Sequence, residues 1–235
     1  MSPPQRAGSA RLLRRALTII IGLLLLPYLL VLVYLVVPPV STPILWRWAT
    51  AKPVRHVWVP LDQIAPALPL AVIVAEDGRF CRHHGIDLTE LRDALQEAED
   101  FSDIRGASTI TQQTAKNLFL WPGRSLMRKA LEFPLALWMD LVMPKRRIME
   151  IYLNVAQWGP NGEFGAEAGA QFAFGKSARN LNAREAALLA SVLPNPKRRN
   201  AGRPGPAVQR LAGIYLARLT RSPQLGECVS VARGR

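Results

Sequence analysis

A chain of 235 residues with 49% hydrophobic residues holds one compact domain plus an anchor and has ample aliphatic content for a core. The formal charge of +13 includes Arg6, Arg11, Arg14 and Arg15, clustered ahead of an apolar run, which leaves +9 for everything downstream. A basic surface of that size suits anionic lipid, phosphate or nucleic acid about equally well, so charge alone does not select a partner.

From Ala16 to Val37 the chain runs uncharged for 22 residues, where a bilayer span needs about 20. A cleaved signal peptide has a shorter apolar core and a small-residue cleavage site. Here Pro38-Pro39 follows and no AxA pattern is present. The expectation is therefore a retained transmembrane helix over 16–37. The arginines on its N-terminal side leave residues 1–15 as a cytoplasmic basic tail and put the rest in the periplasm. A linker over 38–54 contains Pro38, Pro39, Pro43 and Pro53, and one domain follows over 55–235.

That domain reads as helices separated by Gly, Pro and Asn breaks. Leu70 to Ala75 is an apolar helical run leading into Glu76-Asp77. Asp87-Leu-Thr-Glu90 and Thr109-Ile-Thr-Gln112 are capping boxes, the first opening a helix to about Ala98. Further helices are expected over Leu126–Met143, Arg146–Val155, Glu167–Phe174, Ala183–Leu193 and Ala207–Leu219, and Arg55–Leu61 is the best strand candidate. Cys81 and Cys228 lie far apart and outside any zinc or CxxC spacing. Free thiols are the plainer reading, and a periplasmic disulfide between them is the alternative.

Two stretches bear on chemistry. Glu76 and Asp77 close an apolar helix, and a glutamate whose pKa is raised by burial serves as a general base. A solvated helix end is the plainer alternative for any such pair. Gln112 and Lys116 lie four apart on one helix face near amides whose dipole favours an anion. With Arg124, Arg128 and Lys129, Lys116 makes four cations within fourteen residues. Such a cluster suits a departing pyrophosphate, and Glu132 follows at once.

These residues resemble the family 51 glycosyltransferases, which comprise monofunctional peptidoglycan glycosyltransferases and the glycosyltransferase domains of class A penicillin-binding proteins. The motif EDxxFxxHxG stands as Glu76, Asp77, Phe80, His83 and Gly85. GxSTITQQxxKN stands as Gly106, Ser108 to Gln113, Lys116 and Asn117, and RKxxE as Arg128, Lys129 and Glu132. KxxIxExYLNxxxxG stands as Lys145, Ile148, Glu150, Tyr152 to Asn154 and Gly159, and a fifth region runs from Glu185 to Pro196.

The resemblance implies a mainly α, lysozyme-like bilobed domain with a membrane-associated jaw, preceded by one transmembrane helix. It implies polymerisation of lipid II with inversion to β-1,4 bonds and release of undecaprenyl pyrophosphate. Catalysis falls to Glu76 and Glu132. Lys116, Arg124, Ser108, Gln112, Gln113, Arg128, Lys129 and Asn154 shape the donor site, while Asp77, Phe80 and His83 support the base. No dedicated metal or cofactor site is expected, and a divalent ion, Mg or Mn, is allowed for with the substrate pyrophosphate. Lipid II, the growing glycan strand and the inner membrane are the expected partners, with transpeptidases or division proteins beside them and no nucleic acid. The chain carries no SxxK, SDN and KTG set, so cross-linking is expected from another protein. The competing readings are a lysozyme-like hydrolase, an inactive membrane scaffold and, on charge alone, a DNA-binding module.

Overall fold

The computed structural model describes residues 3–97, 108–123 and 125–230. It divides after Val37 into two units.

The first unit is helix α1, Pro3–Val33. Its Ala10–Val33 portion is 24 residues long with a mean hydropathy of 2.8, which at 1.5 Å per residue spans about 36 Å, longer than a hydrocarbon core. Leu23, Leu24, Leu25 and Leu29 are exposed along it, as expected of a surface meant for lipid. The helix ends at Val33, short of the expected Val37, and Tyr34–Val36 form a turn. Pro38 and Pro39 lack the N–H needed to extend the ladder and disfavour helical backbone just ahead of them.

The second unit is mainly helical. The stretch expected as linker contains α2, Thr42–Ala49, with Pro43 in its first turn, where the missing N–H costs nothing. The strand expected over Arg55–Leu61 shrinks to β1, Arg55–His56, paired in parallel with β2, Glu163–Phe164. Beyond His56 the backbone is held by side chains instead. Asn154 both donates to and accepts from Val59, and Glu150 accepts from the Leu61 N–H.

Among the described residues seven α-helices then follow: α3 Ala67–Glu76, α4 Leu88–Glu97, α5 Ile110–Phe119, α6 Leu126–Val142, α7 Lys145–Val155, α8 Ala166–Phe174 and α9 Ala183–Ala190. The last, α10, covers Pro206–Arg221. Helix α9 stops before the expected Leu193 as the chain turns towards Pro194.

The packing forms two groups. In one, α3, α9 and α10 lie together. Leu68, Ala71, Val72 and Ile73 of α3 are fully buried, and so are Ala186, Ala187, Leu189 and Ala190 of α9, whose alanines permit close approach. In the other, α5 packs on α6 and α7, with Ile148, Met149, Ile151 and Leu153 of α7 fully buried. Burying a side chain of this size stabilises by about 1.5–3 kcal/mol, so each α7 residue is a substantial part of the fold. The C-terminal end of α3 and the N-terminal end of α5 meet where the two groups join.

The free-thiol reading of the cysteines is corrected: Cys81 and Cys228, 147 residues apart, form a disulfide with a Cα–Cα distance of 5.5 Å. It fastens the loop after α3 to the turn after α10.

Candidate active site

Helix α3 is almost wholly apolar, so it is buried by its own composition, and its last residue, Glu76, is carried to the edge of the core. Glu76 Oε2 accepts a 2.9 Å hydrogen bond from Gln113 Nε2. Its other oxygen, Oε1, is buried with no hydrogen-bond partner among the described residues. Burial raises the Glu76 pKa; the Gln113 bond, Lys116 and Arg199 counter it, and Asp77 adds to it.

Asp77 behaves differently from its neighbour. Both of its oxygens lie 2.9 Å from His83 Nε2, and Oδ2 also accepts from the Ile110 N–H at the start of α5. Asp77 thus supplies a carboxylate to a helix N-terminus, where orphan N–H groups favour negative charge, and joins the first motif to the second. Phe80 is fully buried, with the His83 ring edge-on at 6.2 Å and Lys145 Nζ 4.6 Å from its ring centroid.

Thr109 and Gln112 close a reciprocal capping box at the start of α5. Gln112, expected among the substrate ligands, is 1% exposed, and its carbonyl oxygen accepts from the Thr109 N–H. Its neighbour Gln113 turns to Glu76. One turn further on, the Lys116 ammonium makes no hydrogen bond among the described residues, and burial lowers its pKa. Glu132 and Glu76 act against that shift, while Arg128 and Lys129 reinforce it.

Helix α6 presents the third motif. Arg128, nearly buried, pairs with Glu132. Lys129 Nζ lies 3.3 Å from the same carboxylate and donates at 2.9 Å to Ser108 Oγ. Glu132 is 3% exposed. A buried carboxylate held by two cations, next to a lysine without a hydrogen bond, leaves a site with surplus positive charge.

Of the residues picked from sequence, the structure therefore gathers Glu76, Gln113, Lys116, Ser108, Arg128, Lys129 and Glu132. Asn154 is fully buried, and its amide is committed to Val59 and the Glu150 carbonyl, which leaves it a fastener of the segment after β1. Arg124 lies outside the described residues. Three neighbours of Glu76 were not picked. Tyr152 donates to Gln113 Oε1 at 3.3 Å, Arg199 faces Glu76 while donating to the Ser191 carbonyl, and Tyr215 on α10 is raised in pKa by burial and by Glu76, against Arg199 and Arg218. Tyr152 sits inside the fourth motif, but Arg199 and Tyr215 carry no spacing signal. Among the described residues no three His, Cys, Asp or Glu side chains converge as a metal site would require.

The family model described as Transglycosylase matches residues 45–220. The chain is 57% identical over 230 residues to a biosynthetic peptidoglycan transglycosylase of Rhodopseudomonas palustris, covering 97% of each chain. It is 56% identical to a protein of that name from Nitrobacter hamburgensis, covering 94% of this chain and 100% of the relative. A relative so named in Agrobacterium fabrum is 49% identical, with 93% and 97% covered.

Proposed function

The chain belongs to the transglycosylase family and is a peptidoglycan glycosyltransferase of cell wall biosynthesis, and we propose that it joins lipid II units with Glu76 as the base. In this reading the Glu76 carboxylate takes the proton of the acceptor sugar's 4-hydroxyl. The freed oxygen attacks the anomeric carbon of the growing strand, which is held as an α-linked undecaprenyl pyrophosphate. Attack from the opposite face inverts that carbon to a β-1,4 bond as the carbon–oxygen bond to pyrophosphate breaks. Lys116, Lys129 and Arg124 receive the leaving charge, and Glu132 orders Arg128 and Lys129 around it. A divalent ion, Mg or Mn, would be supplied with the substrate and add positive charge at the leaving group, since Glu132 is already engaged by Arg128 and Lys129.

The observation that carries the reading is the pairing of an unpartnered, desolvated Glu76 oxygen with a lysine whose charge is not consumed by a hydrogen bond. A lysozyme-like hydrolase would need its second carboxyl group to hand a proton to a departing sugar. The pairing of Glu132 with Arg128 and Lys129 supports a charge-ordering role instead.

Anchoring follows from α1 and from a substrate whose polyprenyl tail stays in the bilayer. The four arginines ahead of the span favour an N-terminus in the cytoplasm. The Cys81–Cys228 disulfide supports the same orientation, since such bonds persist in oxidising compartments such as the periplasm. The exposed Leu45, Trp46 and Trp48 of α2 and the exposed Trp121 suit the headgroup layer. Transpeptidases or division proteins would act beside the enzyme at the inner membrane.

The test is polymerisation of labelled lipid II by detergent-purified protein beside Glu76→Gln. Glycan from the wild type and a loss of at least about a hundredfold in the variant is the expected result. A folded wild type that binds lipid II without polymer points to the scaffold, and cleavage of preformed glycan points to the hydrolase.

A further inference from the structure

Gln113 presents a primary amide to three neighbours at once. Its Nε2 donates to Glu76 Oε2 at 2.9 Å and reaches the Ser108 carbonyl at 3.4 Å, while its Oε1 accepts from the Tyr152 hydroxyl at 3.3 Å. An amide can turn over by 180° and exchange its nitrogen for its oxygen with little change in shape, so something must decide which end faces Glu76. The Tyr152 side chain is 1% exposed, and Gln113 Oε1 is the acceptor its hydroxyl finds. A buried hydroxyl hydrogen left without an acceptor costs about 1–3 kcal/mol. Turning the amide over would strand that hydrogen and set the amide oxygen against the Ser108 carbonyl.

We propose that the Tyr152 hydroxyl, acting through the Gln113 amide, keeps an N–H donor aimed at Glu76, which makes Tyr152 a positioning residue for the base. The proposal rests on the reading of Glu76 as that base. A donor facing the carboxylate favours its ionised form, the one that accepts a proton. A carbonyl facing it is compatible only with the protonated acid. Tyr152 itself stays neutral because burial, with Glu76 and Asp77 nearby, pushes its pKa well above the ordinary phenol value. The other groups facing Glu76 are Lys116 of α5, Asp77 of the loop after α3 and Arg199, with Tyr215 of α10. Among the described residues the Gln113 amide's hydrogen-bond partners are Glu76, Ser108 and Tyr152, so none of these four orients it as Tyr152 does.

The experiment measures the pH dependence of kcat/KM for lipid II polymerisation by the full chain in detergent, with the wild type, Tyr152→Phe, Gln113→Ala and the double variant. Tyr152→Phe should move the acid limb up by about half to one pH unit, with kcat on that limb falling about threefold to tenfold at a given pH and KM for lipid II little changed. Gln113→Ala should move it at least as far, and adding Tyr152→Phe to it should do nothing more, because Tyr152 acts only through the amide. An acid limb unmoved in a folded Tyr152→Phe protein, or a shift that adds to that of Gln113→Ala, overturns the proposal. A failure of the underlying reading looks different: Glu76→Gln would then keep a wild-type rate and acid limb.

Discussion

The Glu76 carboxylate lies at the C-terminal end of α3, where the free carbonyls of the last turn oppose a negative charge. Burial opposes it more strongly, and Asp77 adds its own repulsion. A carboxyl whose folded pKa is raised above its unfolded value favours folding most at pH below the unfolded value, and that contribution is lost as pH rises through the folded pKa. Glu76 therefore stabilises the fold less at neutral pH than in acid. Glu76→Gln, a neutral isostere, should raise Tm in detergent by about 2–4 °C at pH 7.5, and the gain should shrink as the pH falls towards 4. A gain that persists unchanged at low pH would show that ionisation is not its origin. Sequence adjacency alone does not separate the roles of Glu76 and Asp77, both acidic and both in the motif. The fold does so by giving Asp77 two partners and leaving one Glu76 oxygen with none. Gln112 and Gln113 are separated in the same way. Successive helical residues point about 100° apart, so one closes the cap and the other reaches the base.

The start of α5 is the element on which the site depends. Thr109 caps it, Asp77 accepts from its Ile110 N–H, and Thr109 Oγ donates at 2.6 Å to the Gly85 carbonyl. Gly85 has φ of +79°, and a Cβ there would lie 2.5 Å from the Ala136 carbonyl oxygen of α6. The motif glycine is thus required both for its backbone conformation and for the close approach of the loop to α6. Gly85→Ala should destabilise by about 2–4 kcal/mol, whereas Gly78→Ala, exposed and with nothing within 4 Å of the added methyl, should be close to neutral. Denaturant unfolding of the two variants side by side checks this, and equal effects would remove the steric explanation. The helices themselves were legible from periodicity and caps, with the other described ends displaced by a few residues at most and the expected end of α4 at Ala98 lying outside the described residues. Helix α2 was not, because Pro43 reads as a breaker until it is placed in a first turn. Nor was the shortness of β1, whose continuation is held by Asn154 and Glu150, side chains about ninety residues away.

At the scale of the whole molecule, the second unit is closed by its C-terminal segment. Helix α10 packs on α3 and α9, Arg146 donates to the Val229 carbonyl, and Val229 is buried. Cys228 then bonds to Cys81, five residues beyond Glu76. The sequence offers this pairing only as the alternative to free thiols, since a separation of 147 residues matches no spacing rule and the fold is what brings the two together. Closing a loop of that length restricts the unfolded chain by about 5 kcal/mol on chain-entropy grounds, comparable to the net stability of many domains. The bond also holds the end of α3, and with it the base, against the turn after α10. Purified from an oxidising compartment, the protein should titrate with no free thiol, and with two after denaturation and reduction. Cys81→Ser/Cys228→Ser should lower Tm by about 10 °C or more, while polymerising lipid II at low temperature at a rate within a few-fold of the wild type, because neither sulfur takes part in the chemistry. If Tm is the same with and without the bond, the turn after α10 is held by its apolar contacts alone. If activity disappears at a temperature where the variant is still folded, the disulfide sets the geometry of Glu76 as well as the stability of the fold.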